Sequence, residues 1–140
     1  MTDITSPGLT PISTITGDPV ARVPADATVA DVAKAMVVHD VGAIVVGHEE
    51  RPAALLSERD IVRLVAAGQD PATVPAIDIA STKLVWCGAE ATVNQVVARM
   101  MDRYIRHVLV EHEGALVGIV SARDLLGVLS GDPDLDLDSV

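Results

Sequence analysis

The sequence predicts an α+β fold: two tandem β-α-β-β-α units packed around a pseudo-twofold axis. Three observations carry this. The chain repeats itself, since at an offset of 64 residues positions 11–65 align without a gap with 75–129, and 14 of those 55 positions are identical, against about four expected by chance. Each copy then places apolar residues at helical spacing directly after a threonine. Each also carries two short apolar runs split by a polar, glycine-containing turn, with a second helical segment behind them.

The elements follow in the same order in both copies. Residues 20–23 and 84–86 are short apolar stretches that predict a buried strand. Thr28 and Thr92 stand at N-cap positions, where a hydroxyl accepts from an otherwise unpaired backbone amide. Asp31 lies three residues on, in a capping-box position, with Asp replacing the usual Glu or Gln. The next helix puts Val29, Val32, Ala33, Met36 and Val37 on one stripe, and Val93, Val96, Val97, Met100 and Met101 repeat it. Apolar runs at 43–46 and 53–56, then at 107–110 and 116–120, predict a hairpin in each copy. A second helix is expected over 58–67 and 122–129, with Gly68 and Gly131 as stops. The organisation expected is a flexible segment at 1–10, repeats at 11–68 and 75–131, a linker at 69–74 and an acidic tail at 132–140. One repeat without large side chains buries too little surface to stand alone. The two sheets are therefore expected to pack together and to leave clefts where their edges meet.

Composition narrows the function. Of 140 residues, 49% are hydrophobic and 21% charged, which excludes a disordered chain. With one Trp, one Tyr and no Phe, the core must be built from Val, Ala, Leu, Ile and Met. A net charge of −10 repels a phosphate backbone, and so few aromatics offer no platform for stacking bases, so nucleic acid is not the expected partner. Any anionic small ligand must be held by a few well-placed cations. No apolar run approaches the roughly 18 residues of a membrane span, and the first residues lack the features of a secretory signal. A cytoplasmic, non-membrane protein is expected. One Cys and four scattered His supply no metal-ligand spacing, and Cys87 reads as a packing residue. His48–Glu49 and His112–Glu113 fall in matching turns. No Ser-His-Asp order, carboxylate pair or complete phosphate loop predicts an enzyme.

The residues that carry chemistry lie where the last strand meets the last helix, Gly118-Ile-Val-Ser121-Ala-Arg123-Asp124. Glycine allows close backbone approach, and a serine at a helix N-terminus sits where anions are favoured. Asp124 can accept two hydrogen bonds from a cis-diol such as ribose; its structural alternative is a first-turn Asp stabilised by the helix dipole. Ser57, Arg59 and Asp60 repeat the pattern in the first copy, with Ala54 in place of the glycine. Arg106 and His107 open the second hairpin, where the first copy has Gly42 and Ala43. Arginine binds phosphate oxygens bidentately.

Repeat spacing, the Ala-Thr-Val helix start, the hairpin and the GIVSARD segment together resemble a tandem pair of CBS domains, a Bateman module, over residues 11–129. The resemblance implies two tandem CBS repeats and a regulatory rather than catalytic protein. It also implies clefts that bind adenosyl compounds such as AMP, ADP, ATP or S-adenosylmethionine. In that family the Ser or Thr and the Asp of Gly-x-x-Ser/Thr-x-x-Asp hold phosphate and ribose, which maps onto Gly118, Ser121 and Asp124, and onto Ser57 and Asp60. Arg106 and His107 are similar to a basic pair that contacts phosphates; Arg59 and Arg123 are candidates to reach a phosphate or to pair with local acids. With the glycine and the basic pair counted on its side, the second repeat is expected to hold the better site. A homodimer, an adenosyl ligand and a separate protein partner are the expected associations. The alternative is a ligand-free CBS scaffold acting only in assembly.

Overall fold

The computed structural model describes residues 7–16 and 20–130. Its elements are β1 (Arg22–Val23), α1 (Val29–His39), β2 (Ala43–Val46), β3 (Ala54–Ser57), α2 (Glu58–Ala66), α3 (Ala76–Ile79), β4 (Trp86–Gly88), α4 (Val93–Arg103), β5 (His107–His112), β6 (Ala115–Ser121) and α5 (Ala122–Ser130). Two short 3-10 turns, Pro7–Leu9 and Ile12–Ile15, precede them.

The long helices start where their caps allow. Thr28, Ser57 and Thr92 each accept from the backbone N–H three residues on, and Asp31, Asp60 and Gln95 accept in return from the cap residue's own N–H. Ser121 and Asp124 make the same reciprocal pair at α5. Two orphan donors are thereby satisfied at each start. The Thr28 bonds also hold the Asp31 carboxyl below its ordinary range. α1 and α4 both stop on a left-handed residue, Asp40 at φ 53° and Tyr104 at φ 54°.

Each half forms a three-stranded sheet, ordered β1-β2-β3 and β4-β5-β6. The first pair in each is parallel across its helix and the second pair is an antiparallel hairpin. The sheets meet through an apolar layer of Ala43, Val45, Leu55 and Leu109, flanked by Val20, Leu84, Trp86, Leu116 and Ile119. Alternation along the hairpins sends the remaining residues outward into two separate helix-covered cores. The halves are also interlocked. Ile12, which precedes the first sheet, is fully buried in the second core, and its N–H bonds Ala91 O at 2.7 Å. Ala76, which precedes the second sheet, is fully buried in the first core, and its N–H bonds Ala27 O at 2.8 Å. At the hairpin tips Arg51 pairs with Glu111 and lies 4.0 Å over the Trp86 ring.

Several details differ from the sequence expectation. β1 and β4 start two residues late, because Val20 and Leu84 turn into the layer between the sheets. Val37 and Met101 leave the buried stripe at 82% and 71% exposure, since the stripe closes at Met36 and Met100, one turn before each helix ends. α3 was not anticipated; the sequence of this one turn has no helical stripe to read. Residues 7–10 are not a free end: the Pro7–Leu9 turn packs on α4 and α5. Gly131 and the acidic tail lie outside the described residues.

Gly118 in β6 is buried, and a Cβ built there would lie 2.5 Å from the Cβ of Thr16. Its missing side chain lets the 12–16 segment lie flat on the second sheet. Ala54, the equivalent residue, is buried in the first core. Gly118→Ala is expected to cost about 1–3 kcal/mol by overpacking, and adding Thr16→Gly should recover most of it. Urea unfolding of the two variants against wild type measures both effects.

Candidate functional site

Two clefts open where the sheet edges and helix ends of the halves meet. The larger, about 840 Å³, is lined by Ser121, Arg123 and Asp124 of the second half and by His39, Asp40, Gly42 and Glu58 of the first, over an apolar floor that includes Ile15, Val20, Ala21 and Ile119. The smaller, about 270 Å³, is its pseudo-symmetric counterpart. There Ser57, Arg59 and Asp60 of the first half face Tyr104, Ile105, Arg106 and His107 of the second, with Lys83 at the side. Each cleft is thus composite, taking its Ser-x-Arg-Asp corner from one repeat and its facing helix end from the other. Gly42, Glu58, Arg106 and His107 line both.

This placement changes the grouping read from the sequence. Arg106 and His107 do not belong to the second repeat's corner alone; they stand on the shared wall, and the pair faces Ser57 and Asp60 as Gly42 and Ala43 face Ser121 and Asp124. The reason is topological: the start of β5 pairs with the end of β6, His107 opposite Ser121 with Ala122 N–H bonded to Arg106 O, so the pair sits beside its own repeat's motif while also lining the cleft of the other. Gly118 lies under Thr16 rather than on the cleft wall, and it is Thr16 that lines the larger cleft. Sequence reasoning missed Asp40, Glu58, Lys83 and Tyr104. The offset of 64 pairs Asp40 with Tyr104 just before Gly42 and Arg106 and was signal enough for those two. Lys83 and Glu58 have no like counterpart.

The four motif side chains have a structural occupation. Asp124 Oδ2 accepts from Ser121 N at 3.0 Å, and Ser121 Oγ accepts from Asp124 N at 3.1 Å. Asp60 Oδ2 accepts from Ser57 N at 2.9 Å and from Ser57 Oγ at 3.0 Å. Helix capping therefore accounts for the recurrence of Ser and Asp. It leaves the second oxygen, Oδ1, of each aspartate without a hydrogen bond among the described residues. The corners also differ: the Ser57 hydroxyl donates inward to Asp60, whereas the Ser121 hydroxyl only accepts among the described residues.

Charge and size divide the clefts further. Arg106 and Arg123 face Asp40, Glu58 and Asp124 in the larger; Arg59, Lys83 and Arg106 face only Glu58 and Asp60 in the smaller. The roomier cleft is the more acidic. Burial pushes the His107 imidazole below its ordinary value, against opposing pulls from Asp124 and Glu58, and Arg106 adds to the depression. Burial raises the Cys87 thiol, so it is not an activated nucleophile. Among the described residues no group of three His, Cys, Asp or Glu is placed to hold a metal ion. No described helix is long and apolar enough to cross a membrane.

The CBS domain family matches this chain twice, over residues 12–67 and 76–131. The chain belongs to the CBS domain family. An uncharacterized protein of Methanopyrus kandleri is 34% identical over 117 residues, covering 81% of this chain and 57% of that one, so this chain spans little more than half of that relative. A CBS domain protein of Pyrobaculum aerophilum, solved in complex with AMP, is 32% identical with a TM-score of 0.77, covering 88% of this chain and 100% of the other. A hexameric CBS-CP12 protein from bloom-forming cyanobacteria is 30% identical with a TM-score of 0.76, covering 84% and 67%.

The depressed His107 gives this CBS pair a predictable acid response. The unfolded chain takes up its proton near the ordinary 6.5, the folded chain only at lower pH. Between those values the unfolded state binds more protons, so the contribution is full above about pH 6.5 and is lost as pH falls below it. Denaturant midpoints at several pH values between 7.5 and 5.5 should drop more for wild type than for His107→Gln.

Proposed function

We propose that this CBS pair is a non-enzymatic regulatory protein that binds an adenine nucleotide in its inter-repeat clefts and signals to a separate protein partner. The observation that carries this reading is the larger cleft. Its volume, about 840 Å³, lies within the roughly 300–1,000 Å³ of small-molecule sites. It combines an apolar floor for a base, a free Oδ1 of Asp124 for ribose hydroxyls, and Ser121, Arg123 and Arg106 for phosphate. The AMP complex of the Pyrobaculum aerophilum relative supports the ligand class. S-adenosylmethionine is a second candidate, because its sulfonium cation suits a cleft that holds Asp40 and Glu58 beside Asp124.

A ligand-free scaffold is favoured by one observation, the capping boxes that occupy Ser57, Asp60, Ser121 and Asp124. They also dictate the test. Asp124→Ala would strip the carboxylate half of the α5 capping box, leaving Ser121 N–H without its acceptor while Ser121 Oγ still caps the helix, and would confuse folding with binding. Asp124→Asn keeps an oxygen for the Ser121 N–H and removes the charge. Losing a charge-assisted hydrogen bond of about 1.5–3 kcal/mol should weaken AMP roughly ten- to a hundredfold. Titration calorimetry with AMP, ATP, adenosine and S-adenosylmethionine reads this directly. Wild type binding none of them would leave the scaffold.

The same reading includes a homodimer. Val62 and Val65 of α2, and Leu126 and Leu129 of α5, stay exposed, with Val62 at 65% and Leu126 at 69%. Apolar helix faces of this kind mark association surfaces. Light scattering at micromolar concentration should give twice the chain mass, and Leu126→Asp should return it to one. A mass of six chains would instead match the cyanobacterial CBS-CP12 assembly.

A further inference from the structure

The wall between the clefts carries a consequence for how they fill. We propose that the two clefts are antagonistic toward phosphate-bearing ligands because they share one guanidinium, that of Arg106. This rests on the nucleotide reading above and adds a coupling between its two sites.

Four residues line both clefts: Gly42, Glu58, Arg106 and His107. Pseudo-symmetry would put a basic pair on each side of this wall, but the first repeat contributes only Gly42 and Ala43. Arg106 is therefore, among the described residues, the one permanent cation that both clefts reach. His107 is held toward its neutral form by burial, and Glu58 adds a negative charge to the same wall. Each cleft keeps a cation of its own, Arg123 in the larger, Arg59 and Lys83 in the smaller. These allow a first phosphate on either side. A phosphate in one cleft draws the Arg106 fork to itself, and a second phosphate then keeps only its own cleft's cation and faces Glu58 on the shared wall. Two phosphates drawn to one side chain also repel each other, the more so at low ionic strength. A nucleoside without phosphate escapes both effects.

The measurement is titration calorimetry of the full chain with AMP and with adenosine, for wild type and for Arg106→Gln, an exposed position away from both cores. In wild type the second AMP should be weaker relative to the first by at least tenfold more than the second adenosine is, or go undetected, since adenosine reads only the difference in shape between the clefts of about 840 and 270 Å³. In Arg106→Gln the first AMP should weaken and the two AMP affinities should converge to the adenosine ratio. Two equal AMP sites in wild type overturn the antagonism and leave the nucleotide reading standing. An inequality that persists in Arg106→Gln, or that adenosine shows as strongly, also overturns it, because cleft shape or Arg59 and Lys83 would then be the cause. No binding of AMP or adenosine fails the nucleotide reading itself, and the antagonism with it.

Discussion

The exchange of leading segments between the halves is the constraint on which the rest of the molecule depends. Ile12 completes the second core and Ala76 completes the first, so neither repeat closes its helix-covered core from its own continuous sequence. With almost no aromatic residues, each core is built of small aliphatic side chains that bury modest area apiece. Sharing the segments turns two marginal units into one cooperative body. It also fixes the sheets face to face, since the segment after α3 reaches the edge of β3, where Leu55 and Ser81 exchange backbone hydrogen bonds.

That geometry is what makes the clefts. Ile15 and Thr16, which lie against the second half, line the larger cleft, and Ser81 and Lys83, which follow the segment packed on the first half, line the smaller. Gly118 is the clearest case. Its side chain is absent so that Thr16 can lie close, and Thr16 in turn lines the larger cleft. The glycine thus shapes the cleft through packing rather than by lining it.

The motif side chains show how a helix cap can stand at a cleft corner. A hydroxyl residue and an acceptor three residues on are an efficient helix start, and the fold uses that box as Ser–Asp at α2 and α5, Thr28–Asp31 at α1 and Thr92–Gln95 at α4. The box consumes one carboxylate oxygen and leaves the other, so a cap at a cleft corner is also a preorganised acceptor. The boxes at α2 and α5 face a cleft; Thr28–Asp31 and Thr92–Gln95 line neither. Position, not residue type, separates a cap from a candidate ligand contact.

The sequence by itself determined the repeat, the helix caps, the two hairpins and the family. These are local properties: hydrophobic periodicity and capping chemistry act over a few residues, and the offset of 64 doubled every signal. It also pointed to Ser57, Asp60, Ser121, Asp124 and Arg106 as the residues with chemistry to offer. Only the tertiary structure decided how they combine. Cleft membership depends on which residues meet across the pseudo-axis, and such long-range contacts leave no periodic trace in the chain. That is why Arg106 and His107 could be recognised as a basic pair but not assigned to the wall both clefts share, and why Lys83, without a counterpart in the other repeat, was invisible until the fold placed it beside Ser57 and Asp60.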